Sequence, residues 1–202
     1  MEVEIKKYIP QSAILLVSDL IKKHPFELKI KNQRKTKHGD FRTSVNDVYK
    51  ISINNDLNNY RFLITLIHEI AHLVTHKKYG RTKPHGSHWK ETFKYLMLPF
   101  LTDEIFPSDV LSPLAKYLIN PKARTDADLN LSLALRHYDK ESDKKLIFEI
   151  ELGALFAHNK RVFNRGNKRK TRYECTEINT QKKYLFQQNA EVFLIDNNRD
   201  EK

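Results

Sequence analysis

The strongest pattern along the chain is the run from Phe62 to Val74, apolar nearly all round a helical wheel and interrupted only by Thr65, His68, Glu69 and His72. A helix that is apolar on every side is buried. The pattern predicts a long helix from about Asn58 to Lys78, with Asp56 or Asn58 capping its start. Upstream, residues 11–24 place Ile14, Leu15, Val17, Leu20 and Ile21 at helical spacing before Pro25 stops them. Short strand-like runs follow at Phe26–Ile30 and Tyr49–Ile53, the second with Ile51 and Ile53 alternating. The polar, basic stretch from Lys31 to Arg42 contains Gly39-Asp40 and is expected to turn the chain back.

Downstream, Ser87 is expected to cap a second helix that carries Trp89, Phe93, Leu96 and Met97 at helical spacing, closed by Pro99. Residues 103–138 read as shorter helices separated by Pro107, Pro113 and Pro121. At about residue 139 the character changes. A polar linker, Asp139–Lys145, leads into short apolar runs at Leu146–Ile150, Ala154–Phe156, Tyr173–Ile178, Tyr184–Phe186 and Val192–Ile195, which read as strands. The pattern therefore predicts an α+β chain: a helix-rich domain at 1–138, then a small β-rich module at 139–202. No internal repeat is present.

Buried polar groups need partners, and an unpaired buried carboxylate costs several kcal/mol. His68-Glu69-Ile70-Ala71-His72 is an H-E-x-x-H sequence. Histidines four apart stand one turn above each other on one helix face, so both imidazoles can reach a single zinc at about 2.0–2.1 Å. Glu69 is then placed to take a proton from a zinc-bound water. A third ligand must come from elsewhere. His76 lies about 12 Å along the axis from His68, too far to share the ion. Pro84-His85-Gly86-Ser87-His88-Trp89 offers His85 on a sharp turn and His88, held in reserve, in the first turn of the next helix. Three protein ligands would leave a fourth position open, as a catalytic site requires.

With His68-Glu69-Ile70-Ala71-His72 followed by His85-Gly86-Ser87-His88-Trp89, the chain resembles the SprT-like family of zinc metallopeptidases, which includes the Spartan proteases. The family pattern is H-E-x-x-H, a loop, then H-G-x-x-[FW] opening a helix. The resemblance covers roughly residues 10–120. It implies that His85 is the third ligand and that the fold is a minimal zinc-protease domain, a small sheet packed beside the active-site helix; the two-part ligand pattern predicts one zinc per chain. Spartan members act on proteins crosslinked to DNA. One departure stands out: the family often carries a C-terminal zinc ribbon of paired cysteines, whereas Cys175 is the single cysteine here. A second, cysteine-based zinc site is not expected, and the β module must rest on packing.

Charge extends the picture. The net charge is +11, from 36 Lys and Arg against 25 Asp and Glu, which favours a polyanionic partner. Between Leu152 and Tyr173 stand Lys160, Arg161, Arg165, Lys168, Arg169, Lys170 and Arg172 with no acidic residue among them. Phe156, Phe163 and Tyr173 are interleaved. Cations neutralise phosphates and aromatics stack on unpaired bases, so this run is a candidate nucleic-acid contact; the alternative is a solvated loop whose aromatics serve the module's own core. Lys29–Arg42 adds a second basic cluster. The N-terminus lacks the apolar core of a secretory signal, and no run approaches the roughly 18 apolar residues of a membrane span, so a soluble, cytoplasmic protein is expected.

The combined expectation is a zinc-dependent metalloendopeptidase that hydrolyses peptide bonds in a protein or peptide substrate, with DNA or another nucleic acid as a second partner. The competing expectation is a nucleic-acid-binding protein with a structural or vestigial zinc site. An intact Glu69 argues against the latter, since a structural site has no use for that acid.

Overall fold

Val17 and Ile21 bury one face of helix α1 (Ile14–Lys23), which enters from a short 3-10 turn at Gln11–Ala13. The helix ends because the residue before a proline avoids the α region: His24, preceding Pro25, leaves it at φ −132° and ψ 74°. Strands β1 (Glu27–Lys31), β2 (Gly39–Thr43) and β3 (Tyr49–Asn54) form a sheet in the order β1-β3-β2. β1 runs parallel to β3, and β2 antiparallel to it. The computed structural model describes residues 5–34, 36–43 and 48–195. Residues 1–4, on which the reading of the N-terminus partly rests, and Lys35 in the second basic cluster lie outside them.

β2 corrects the expectation that Lys31–Arg42 only turns the chain. It is an edge strand with no buried residue, so it lacks the apolar alternation that marks a half-buried strand. Ile51 and Ile53 of the central strand are fully buried.

Helix α2 (Asn59–Tyr79) packs across this sheet. The Asn58 side chain accepts the Arg61 N–H at 2.9 Å, and Gly80 at φ 69° ends the helix. Phe62, Leu63, Ile64, Leu66, Ile67, Ile70 and Leu73 are all fully buried, each burial contributing about 1.5–3 kcal/mol. Helix α3 (Ser87–Met97) buries Trp89, Phe93, Leu96 and Met97 against the same core. Its cap differs from expectation: Gly86 holds that position with no side-chain bond, and Ser87 is the first helical residue. Helix α4 (Ser108–Ile119) runs through Pro113. The carbonyl that loses its N–H partner there belongs to Asp109, an exposed residue. Helix α5 (Leu129–Arg136) starts at Asp128, which accepts the Leu131 N–H. Asp139, read as linker, accepts from Asn58 at 2.6 Å and pairs with Arg61.

The chain divides into two units, residues 1–139 and 140–202. The second is a six-stranded sheet in the order β4-β9-β5-β6-β7-β8, from β4 (Lys145–Leu146), β5 (Leu155–His158), β6 (Arg161–Arg169), β7 (Arg172–Glu177), β8 (Lys183–Gln187) and β9 (Glu191–Leu194). The run Leu146–Ile150 is strand only at its start; Ile147–Glu149 is a 3-10 turn in which Glu149 accepts the Leu146 N–H. The sheet curls until Phe186 of β8 meets Phe156 of β5 edge-on at 5.3 Å. Phe156, Phe163, Tyr173, buried Cys175 and Val192 form its core. The chain is thus α+β with a β-rich C-terminal part. Among the described residues, no helix is long and apolar enough to cross a membrane.

Candidate metal centre and its cleft

His68 and His72 stand one turn apart on α2. His85 reaches them from the turn before α3, and its backbone takes the left-handed conformation at φ 57°. A non-glycine residue there is uncommon and stores local strain. That turn is closed by a Gly86 N–H to Lys83 carbonyl bond at 3.0 Å. The three Nε2 atoms lie 3.1, 3.2 and 3.0 Å from one another.

Three nitrogens bound tetrahedrally to one zinc at about 2.0–2.1 Å would stand about 3.3 Å apart. The donor set therefore fits: three neutral imidazoles, a borderline ion's preferred ligands, with three edges converging on one point. Burial lowers the pKa of His68, with the neighbouring His72 and His85 adding to it. Burial, then His85, takes His72 down to about 4, and burial lowers His85 as well. All three are thus deprotonated at neutral pH, the state that a metal requires.

Trp89 sits behind the cluster. Its ring lies 4.5 Å from that of His68, 5.3 Å from His72 and 4.7 Å from His85, and its indole N–H donates to the His68 carbonyl at 3.4 Å. The sequence marks Trp89 as a core position opening α3 and as the aromatic of the family pattern; the structure makes its ring the wall against which all three imidazoles pack. His88, held in reserve, stacks on Tyr79 at 4.0 Å instead, and His76 packs against Phe41 and Tyr49.

Glu69 is 6% exposed. Burial, reinforced by the Asp40 charge, pushes its pKa up to about 8, against the opposing pull of Arg34, Lys37 and a hydrogen bond from the Phe41 backbone. Asp40 itself stays ionised, because bonds from Lys37 and Arg42 outweigh its own burial. A raised carboxyl pKa near the working pH is what a general base needs. These groups line a cleft of about 610 Å³. Its floor is α2, from Ile64 and Thr65 to His72; one wall is 36–41, leading into and along β2, and the rest comes from Pro84-His85 and from 123–126.

The basic run takes a definite form in the second unit. It is β6, its flanking turns and the start of β7, with Lys160 and Lys170 at positive φ in the turns. Lys168, Lys170 and Arg172 are exposed at the β6–β7 hairpin tip. Arg169 pairs with Glu174 at 2.7 Å; Arg161 pairs with Glu177 and lies over the Phe163 and Tyr184 rings; Arg165 lies over Tyr173 at 4.3 Å. Phe156, Phe163 and Tyr173 are buried in the module's core, so they offer no platform for bases. The alternative reading of those aromatics is the one that the structure supports.

Residues 14–100 match the SprT-like family. The SprT-like stretch covers less than half of the chain but includes His68, Glu69, His72, His85, Trp89 and the whole of the first sheet. A segment of 23 residues is 61% identical to Protein SprT of Vibrio atlanticus (strain LGP32), covering 11% of this chain and 14% of that protein. No solved structure matches the chain.

Proposed function

We propose that this chain is a zinc-dependent metalloendopeptidase with His68, His72 and His85 as metal ligands and Glu69 as general base. The observation that carries the reading is the convergence of three half-buried imidazole nitrogens within 3.2 Å of one another beside a buried carboxyl in an open cleft. The SprT-like match over 14–100 agrees with it.

Zinc, when bound, supplies Lewis acidity and brings the pKa of water towards neutrality. The remaining chemistry belongs to the chain. Trp89 and the helix backbone fix the imidazoles, so no reorganisation is needed when substrate enters. The carboxylate of Glu69 takes the proton of the attacking water and delivers it to the departing amine nitrogen; the Phe41 N–H holds that carboxylate in place. β2, the free edge of its sheet, lines the cleft beside Glu69, which suits an extended peptide.

The β6–β7 hairpin tip, with Lys168, Lys170 and Arg172 exposed, supports recruitment to nucleic acid through phosphate contacts. The same tip is what favours the second reading, a nucleic-acid-binding protein with a structural or vestigial zinc site. Digestion of an unfolded protein by the zinc-loaded chain, with Glu69→Gln as the control, separates the two.

A further inference from the structure

The cleft holds a fourth histidine outside the metal cluster. His38 immediately precedes Gly39, whose α-carbon is packed so tightly on α2 that an added β-carbon would lie 2.5 Å from Glu69 Oε1. Its imidazole is therefore within side-chain reach of whatever binds beside Glu69, and it lines the same cleft.

His38 is anchored at its backbone and contacted at its ring. The His38 carbonyl accepts from the Asn54 N–H at 2.9 Å and from Arg34 at 3.3 Å. Its Nε2 lies 3.3 Å from Asp126 Oδ2. The other oxygen of Asp126 is bound by the guanidinium of Arg61, a buried side chain that also pairs with Asp139. Asp126 therefore cannot swing away, and Arg61 has a second carboxylate for its charge. A carboxylate oxygen at that distance repels a nitrogen lone pair and attracts an N–H, so its charge favours the neutral tautomer with the proton on Nε2. Nδ1 is left with a lone pair, and it has no hydrogen-bond partner among the described residues. Burial keeps the ring neutral at physiological pH, although Asp126 opposes this; Arg61 works with burial, and Asp56 and Asp139 act weakly with Asp126.

We propose that His38 is a substrate-binding residue of this cleft, its Nδ1 accepting a backbone N–H of a bound peptide, and that Asp126 is the positioning residue that sets its tautomer. The inference rests on the reading of the cleft as a peptide site. It adds a polar contact to the cleft beside Asp126, apart from the three-histidine cluster. Such a contact would fix the register of the chain being cut.

The test uses full-length zinc-loaded protein carrying Glu69→Gln, which binds without turnover, and fluorescently labelled unfolded casein as the probe. Anisotropy titration is expected to show binding that weakens about tenfold with His38→Ala, the size of one lost hydrogen bond. His38→Gln, whose amide can donate to Asp126 and still offer an acceptor, is expected to recover part of that loss. Asp126→Asn presents a donor to Nε2 and moves the ring proton to Nδ1, so it is expected to weaken binding as much as His38→Ala does. Nitrogen-15 imidazole spectra of the unliganded protein are expected to show His38 protonated on Nε2 in the parent and on Nδ1 with Asp126→Asn, zinc content being unchanged. Equal affinity for parent and His38→Ala, no casein binding by the parent, or an Nδ1–H tautomer in the parent would overturn the proposal. If casein binds through His38 but the chain with intact Glu69 does not cut it, the peptidase reading fails and this one stands.

Discussion

Gly39 and Glu69 are packed so closely that a single methyl group would not fit between them: a β-carbon on Gly39 would come 2.5 Å from Oε1 and 2.8 Å from Cγ of Glu69. The edge strand β2 and helix α2 approach each other at that point because position 39 has no side chain. This contact brings the Phe41 N–H onto the carboxyl of Glu69 and lets Asp40 act on it.

Gly39→Ala is accordingly expected to push β2 away from α2. Overpacking of this kind typically costs about 1–3 kcal/mol. Urea unfolding should register the loss, and proteolysis should fall further than the fraction unfolded accounts for, because Glu69 loses its backbone donor. Unchanged stability and turnover would mean that the strand yields at no cost.

The metal-free protein is expected to carry a pH-dependent strain at Glu69. Its pKa in the fold, about 8, is raised above the ordinary carboxyl value of 4.5. Below 4.5 the group is neutral whether folded or unfolded, and nothing is lost. Between 4.5 and 8 the unfolded chain releases the proton while the fold retains it, so stability declines as pH rises through this window. At pH 8 the deficit is on the order of a few kcal/mol. Glu69→Gln removes it, so thermal melts of the two metal-free proteins should nearly coincide at pH 4.5 and separate at pH 8, the variant melting higher. A gap independent of pH would contradict the account.

The histidine cluster is legible in the sequence because the signal is local. His68 and His72 are one helical turn apart, and the buried helix around them leaves their polar groups in need of a partner. His85 is nearly as legible, since a short turn returns it to the same helix. β2 is not, because an edge strand with no buried residue leaves no alternation to read. Pro113 misleads for the opposite reason: it is a breaker whose lost bond falls on the solvent side of α4. The pairing of His38 with Asp126, and the role of Trp89 behind three imidazoles, follow only from folding segments far apart in the chain. In the second unit the basic run is plain in sequence, but which cations are already paired depends on strand register. Glu174 and Glu177 of β7 take Arg169 and Arg161.

The zinc assignment separates two nearby histidines. His85→Ala is expected to purify with much less than one zinc per chain by elemental analysis, while His88→Ala, which loses only its stack on Tyr79, retains it. The reverse pattern would move the third ligand to His88.

For the second unit, charge reversal at Lys168, Lys170 and Arg172 is expected to weaken binding of full-length protein to duplex DNA and to flatten its salt dependence, since each neutralised phosphate releases counterions. Zinc content should not change. No binding at low salt, or binding indifferent to the reversal, would leave the hairpin tip as a solvated surface.

The central claim meets its most direct test in one measurement: the rate at which the zinc-loaded chain hydrolyses an unfolded protein, read by appearance of new peptide N-termini, against the zinc-loaded Glu69→Gln variant. Glutamine keeps the shape of the side chain and cannot take the proton, and loss of a general base typically costs about 10²–10⁴-fold. The account expects cleavage by the parent, a loss of that order in the variant, and equal zinc in both. Equal rates in the two zinc-loaded proteins, or no cleavage by a parent that holds its zinc, would contradict it.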